Sequence, residues 1–574
     1  MADLRVWAPH AELVEVVAGD RRTAMAGAGG GWHTAPSSAA SDDGRYLLSV
    51  DGGDPAPDPR SPYQPEGVHG PSQLVDHSAF PWTDGNWQGL ALSDAVIYEL
   101  HTGTFSESGT FDGVVEKLPH LLDLGVNAIQ LMPVATFPGE RGWGYDGVDL
   151  FAPHAAYGGP DGLKRLVDAC HAAGIAVVLD VVYNHLGPDG NYLGTFGPYF
   201  TDVYQTPWGT AMNYDGRGAD EVRSFFVDNA LSWLRDYHCD GLRLDAVHAI
   251  IDTSAVHFLE QVSTAIDELR VETGRPRWLI AESDLNDPRL LSPTDRGGYA
   301  FDAQWSDDFH HALHSVITGE RDGYYQDFGS VADLATALQQ AFVYAGRYST
   351  YRERTYGRRP DGLPGWAFLG YIQDHDQVGN RARGERISHL VSPGLCRVAA
   401  ALVILSPFTP MLFAGEEWAA TSPFLYFTNH EDRELARSVT RGRRREFAAF
   451  GWPAQDVPDP QALSTFEASK LRWDELDSAD HAAMLSWYRD LLRLRAGDHG
   501  LRDGRLDAVE VDFDEDARWL VMRRGATTVC CNFSGMPVAV AADGAIVLAS
   551  APGAESDGER VGLPAESVVV LRQA

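Results

Sequence analysis

Several short apolar runs in this chain end in residues that can do acid–base chemistry. LDVVYNH carries Asp180, Asn184 and His185, and GLRLDAVH carries Arg243, Asp245 and His248. LIAES leads into Glu282, and YIQDHDQVGN supplies Gln373, Asp374, His375 and Asp376. Arg243 and Asp245 are two positions apart, so in a strand they face the same side. An acid beside a permanently charged guanidinium stays ionised, which is the form that attacks an anomeric carbon. Glu282 follows an apolar run, where partial burial raises a carboxyl pKa and keeps the group protonated as a general acid. Two carboxyls from neighbouring strands can flank one glycosidic bond. One attacks while the other protonates the leaving oxygen, at the separation of about 5–5.5 Å that retaining chemistry uses. A third carboxylate can stabilise the oxocarbenium-like transition state electrostatically. A single aspartate at a strand end is common; the ordered set is specific.

The elements that must position these residues follow from the texture of the chain. From Ala95 onward the apolar runs AVIYEL, NAIQLMPV, IAVVLDVV, GLRLDA, WLIAES, AFLGYIQDH and PMLFAGEE alternate with amphipathic helical stretches. Strands that are nearly all apolar within, separated by helices that end at glycine, indicate a parallel sheet covered on its outer side. Their number and spacing predict an α/β fold, a (β/α)₈ TIM barrel with loop insertions over 91–497, with its chemistry at the C-terminal strand ends. Residues 1–90 read as short strands (LRVWAP, LVEVVAG, GRYLLSV) and a Pro-, Gly- and Asp-rich connection, predicting an N-terminal β-sandwich. Residues 498–574 alternate like an antiparallel sheet and predict a C-terminal β domain.

Composition narrows the partners. The net charge of −35 disfavours nucleic acid and anionic membranes, because a polyanion is repelled, while a neutral glucan is not. The 15 Trp and 21 Tyr suit stacking on sugar rings, although large cores collect aromatics too. Five cysteines without CxxC spacing fit a reducing compartment and supply no zinc site. The start, MADLRVWAPH, lacks the basic and apolar regions of a leader, and no run reaches the 18 or so apolar residues of a membrane span. The expectation is a cytoplasmic protein.

The motifs DVVYNH, GLRLDAVH, IAES and QDHD resemble, in order, the four signature regions of the α-amylase superfamily. Carried over residue by residue, the resemblance makes Asp245 the nucleophile, Glu282 the acid/base and Asp376 the transition-state stabiliser. It places Arg243, His185 and His375 around the innermost sugar, and counts His248 among the substrate-binding residues. WGYDG resembles the stacking platform of that superfamily, with Tyr145 under the sugar and Asp146 near its hydroxyls. From about Tyr98 to Glu417, segments such as ELHTGTFSESGTFDG, NHLGPDGNYL, AESDLNDPRL, AQWSDDFHHALH and GERDGYYQDFG are similar to one family within it, the maltooligosyltrehalose trehalohydrolases. That likeness implies hydrolysis of the α-1,4 bond next to a terminal trehalose unit, on a substrate made by a maltooligosyltrehalose synthase. It further implies that Asp307, Asp308, Phe309, His310 and His311, with Gln373, Asp374 and His375, line the substrate cleft. Relatives that bind calcium use the Asn of the third-strand motif, here Asn184. No second ligand set is visible, so neither a metal nor another cofactor is expected.

Other features have plainer readings. His310 and His314 could share a helix face as metal ligands, but no third ligand lies nearby. His101 is either a structural hydrogen-bonder or a sugar contact, and Trp208 either a stacking residue or a loop anchor. The run RGRRRE, Arg441 to Glu446, reads as a solvated face in so acidic a chain. Two rival functions share these motifs: a glucan branching enzyme, told apart by α-1,6 linkages in its product, and an inactive glucan-binding scaffold, which would need one of the three carboxylates to be missing.

Overall fold

A computed structural model describes residues 3–449, 453 and 456–573. Its centre is a closed, all-parallel barrel of eight strands. In chain order these are β1 (Ile97–Leu100), β2 (Ala128–Leu131), β3 (Ala176–Val181), β4 (Gly241–Leu244), β5 (Trp278–Ala281), β6 (Ala303–Trp305), β7 (Phe368–Gly370) and β8 (Thr409–Phe413). The sixth is not among the runs read from the sequence. It is three residues long with polar Asp302, Gln304 and Ser306 in and beside it, so no apolar run marks it, and it is held by pairing with β5 and β7.

Alternation along these strands explains how one surface carries both a core and a site. Inward positions near the strand starts are apolar and pack together: Ile97, Ala128, Ala176, Val178, Trp278, Ile280, Ala303 and Leu369. Continuing two residues at a time, the same inward rows become Glu99, Gln130, Asp180, Arg243 and then Asp245, and Glu282. The register pairs Asp180 with Arg243, and Asp245 and Glu282 follow directly on β4 and β5. The polar crown therefore lies on the C-terminal face, above a dry interior.

Helices cover the outside, among them α1 (Gly159–Ala172), α2 (Ala219–Arg235), α3 (Phe258–Thr273), α4 (Asp307–Thr318), α5 (Pro393–Leu405), α6 (Arg433–Ala449) and α7 (Ala479–Gly497). Among the described residues, no helix is long and apolar enough to cross a membrane.

Before the barrel, a three-stranded and a four-stranded antiparallel sheet run from Leu4 to Gln73. Strands Arg21–Ala24 and Ala26–Gly29 escape the sequence reading because they are almost wholly exposed and lack apolar alternation. The segment that follows is fastened under the barrel, away from the site. His171 of α1 bridges Asp84 and Asp240 at 2.9 Å each, and Trp82 stacks on His238 with ring centroids 3.7 Å apart. After α7 come a five-stranded and a three-stranded antiparallel sheet. The adjacent thiols of Cys530 and Cys531 lie in one strand and enter different cores, as alternation requires. All five cysteines are buried and free.

Candidate active site

Arg243 is the hub of the crown. It is fully buried, lies over the Trp305 ring at 4.2 Å, and contacts three carboxyls: Asp180 at 2.7 Å, Asp245 at 3.0 Å and Glu282 at 3.0 Å. One guanidinium thus holds both members of the proposed carboxyl pair, from adjacent strands. Glu282 is driven well above the usual carboxyl range by burial, against the pull of Arg243 and with help from Asp245, Asp376 and Asp307. Its Oε2 also accepts the Ala246 N–H at 2.7 Å. Ala246 reaches that position with φ at +41°, a left-handed conformation that costs an alanine some strain and aims its N–H at the acid. With Oε2 so engaged, Oε1 is the atom left to carry the proton.

Asn184 spends its side chain on this centre. Its Nδ2 donates to Asp245 Oδ2 at 2.6 Å and to the Asp245 carbonyl at 2.9 Å, while its Oδ1 lies 2.6 Å from His185 Nδ1. Asn184 is thus a clamp on the carboxylate of Asp245. Asp180, which carried no assigned role, anchors Arg243 and accepts the Tyr145 hydroxyl at 2.7 Å.

A second buried chain runs from β1. Glu99 accepts the His375 backbone N–H at 2.9 Å, and its Oε1 lies 2.8 Å from His375 Nδ1. His375 Nε2 in turn lies 2.8 Å from the Tyr145 hydroxyl. Burial alone would lower the His375 pKa. The charges of Glu99, Asp374 and Asp376 outweigh it and push the imidazole up to about 10. Among the described residues, Glu99, Asp374 and His375 form the one group of three potential metal ligands with donor atoms within 4.8 Å. The hydrogen bonds hold the His375 imidazole, whose protonated form those charges favour, beside Tyr145. Glu99→Gln removes the charge that keeps that proton. The variant is expected to lose about 10- to 100-fold in kcat/KM at neutral pH and to recover as pH falls through the lowered His375 pKa. A pH profile that coincides with the parent's would contradict this role.

Two cavities meet at Glu282 and Asp376. One of about 550 Å³ is lined by Tyr145, Asp146, His185, Arg243, Asp245 and His375, with Trp208 at its mouth. The other, about 200 Å³, is lined by Asp284, Trp305, Asp307, His311, Tyr324, Tyr351 and Arg352. His248, Glu282 and Asp376 border both. Trp208, 48% exposed, stacks on His185 with centroids 5.3 Å apart and offers its other face to the cleft. Asp284 and Arg352 pair at 2.8 Å, and Asp307, bonded to the Tyr371 hydroxyl, is pushed up to about 7 by burial.

Several residues expected in the cleft lie behind it. Of DDFHH, Asp307 and His311 border the smaller cavity, because the segment is the first turn of α4 and its other side chains turn inward. Asp308 accepts from Asn286 and from the Val343 and Tyr344 N–H groups. Phe309 packs on Phe408 with centroids 5.1 Å apart, and His310 stacks on Tyr371 and meets the Tyr325 hydroxyl at 2.9 Å. Gln373 is buried between Glu416 and the Ile387 N–H. Asp374 caps the one-turn helix His375–Gly379, accepting from the Asp376 and Gln377 N–H groups. His310 and His314 are spent on separate partners, Tyr325 and Glu320. His101 is buried against the Gly142 carbonyl and the Tyr157 hydroxyl, which settles it as a structural hydrogen-bonder.

The family model for the alpha amylase catalytic domain matches residues 82–197, and a domain of unknown function, DUF3459, matches residues 504–570. The chain is 49% identical over 582 residues to malto-oligosyltrehalose trehalohydrolase of Mycobacterium tuberculosis, covering 100% of both. It is 46% identical over 506 residues to the protein of the same name from Saccharolobus solfataricus, covering 88% of this chain and 86% of that one. A solved structure of a Salmonella typhimurium protein named as an alpha amylase superposes with a TM-score of 0.91 at 39% identity, covering 100% and 98% of the two chains. A 1,4-alpha-glucan branching enzyme of Bacillus caldolyticus matches at 33% identity over only 46% of this chain.

Proposed function

The chain belongs to the malto-oligosyltrehalose trehalohydrolases of the α-amylase superfamily, and from that premise we propose how its cleft releases trehalose from maltooligosyltrehalose. It is a glycosidase that cleaves the α-1,4-glucosidic bond next to the terminal trehalose unit, leaving a maltooligosaccharide. The glucosyl unit to be transferred lies on Tyr145, in the larger cavity with His185, Arg243 and His375. The Asp245 carboxylate attacks its anomeric carbon while Glu282 Oε1 delivers a proton to the departing glycosidic oxygen. Asp376 stabilises the positive charge that builds up on the ring. Trehalose leaves through the smaller cavity. Water, deprotonated by Glu282, then opens the glucosyl-Asp245 ester, and net retention follows from two inversions.

The observation that carries the choice of bond is the smaller cavity on the Glu282 side. It is compact and polar, with Asp284, Asp307, His311 and Arg352 facing inward. Trehalose is a short, bent, non-reducing disaccharide that can satisfy such groups. A maltose end in the same place leaves some of them unpaired, at about 1–3 kcal/mol each. A plain glucan has no terminal 1,1 bond, so the reading also assigns a preceding enzyme, a maltooligosyltrehalose synthase, that creates it. The five buried free thiols support work in the cytoplasm.

The test of mechanism is proton NMR of the first turnovers on synthetic maltotriosyltrehalose. The maltotriose should appear first as the α anomer beside free trehalose. A β anomer would contradict retention, and new α-1,6 linkages would make the chain a branching transferase.

A further inference from the structure

We propose that Arg443, entering the cleft from α6, is a positioning residue that orients Asp376 through Asn380. The inference rests on the role given above to Asp376. The run RGRRRE, expected to be a solvated face, is only partly so. Arg441, Arg445 and Glu446 are exposed, whereas the Arg443 side chain retains 10% of its exposure and borders the larger cavity. It is flanked by the rings of Phe447 at 4.6 Å and Tyr426 at 5.1 Å.

From there Arg443 donates to the Gly379 carbonyl and, at 2.8 Å, to Asn380 Oδ1. Asn380 Nδ2 donates to Asp376 Oδ1 at 2.6 Å. A guanidinium can only donate, so it fixes which end of the amide it meets. Held by its oxygen, the Asn380 amide must turn its N–H toward Asp376. Asn380 is itself exposed, and its side chain is held between these two partners, Arg443 at its oxygen and Asp376 at its nitrogen, so that losing Arg443 leaves the amide tethered at one end alone. The turn carrying Asp376 is gripped from both sides. Asp374 caps its start, and a Cβ at Gly379 would lie 2.0 Å from Trp143 Cζ2, so the turn sits hard against that ring while Arg443 holds its carbonyl. One oxygen of Asp376 is thereby pinned and the other left for substrate.

An orienting role predicts a loss in turnover with little change in substrate binding. Asn380→Ala and Arg443→Ala should each lower kcat for trehalose release about tenfold, with KM within about twofold, because loosened transition-state contacts cost rate. The double variant should be no more than about twofold slower than either single one, since both break the same chain. Arg445→Ala, in the same helix but outside the cleft, should keep the parent kcat. An unchanged kcat in Asn380→Ala, losses that multiply in the double variant, or an equal loss in Arg445→Ala would each overturn the inference. Asn380→Ala changes an exposed side chain, so the test stands even where Arg443→Ala lowers the yield of folded protein. Asp376→Asn, measured alongside, separates the two levels: a near-parent rate there would overturn the role of Asp376 itself, whereas an inactive Asp376→Asn beside a fully active Asn380→Ala would overturn only the positioning chain.

Discussion

Asp245→Asn is expected to slow trehalose release by about 10⁴-fold or more, because an amide cannot form the glucosyl ester on which the double displacement depends. The loss should fall on turnover rather than folding. Asparagine is nearly the same size, and its amide oxygen can still accept from Arg243 Nη1, which lies 3.0 Å from the carboxylate. Asn184 still has the Asp245 backbone carbonyl as acceptor. The checks are the rate on maltooligosyltrehalose and the thermal midpoint of the purified variant. A rate within about tenfold of the parent's would remove Asp245 from the nucleophile's role.

Glu282→Gln carries the second large effect, and pH separates it from a general loss. Burial raises the Glu282 pKa well above the usual carboxyl range, and the charges of Asp245, Asp376 and Asp307 add to that. A raised pKa means that the acid form persists as pH climbs, and that activity falls as pH rises through that pKa. The profile of kcat/KM should therefore have an alkaline limb set by Glu282. The amide of the variant is neutral at every pH and cannot give a proton, so activity should drop by about 10²- to 10⁴-fold and the residual rate should lose that limb. An alkaline limb that persists at the same pH in the variant would assign the acid to another group. Asp307, pushed up to about 7 in the adjoining cavity, is the group to examine in that event.

What the sequence makes legible follows from periodicity. Long apolar strands declare themselves, and the two-residue step from Arg243 to Asp245 is enough to place both on one side. Strand β6 does not declare itself, because polar Asp302, Gln304 and Ser306 interrupt its apolar residues, and Trp305 under Arg243 is missed with it. The DDFHH segment shows the opposite failure. Consecutive residues of a helix point around its whole circumference, so one segment cannot deliver all five side chains to a cleft: Asp307 and His311 arrive, and Phe309 serves the core. Glu99 and Asn380 have no sequence signal at all. Their partners, His375 and Asp376, are 276 and four positions away respectively, and only folding shows which contacts form. Arg443 is hidden by its neighbours, since a basic run reads as surface until one of its side chains turns inward.

The central claim is the choice of bond, and a competition measures it most directly. Equal amounts of maltooligosyltrehalose and of the maltooligosaccharide of matching length are given to the enzyme together, and both are followed in time by chromatography. Two or three unpaired polar groups at about 1–3 kcal/mol each correspond to a preference of several orders of magnitude. Trehalose should therefore accumulate, with a maltooligosaccharide shorter by two units, while the plain oligosaccharide stays nearly untouched. Consumption of both substrates at comparable rates would contradict the account, because the smaller cavity would then not be reading the terminal trehalose.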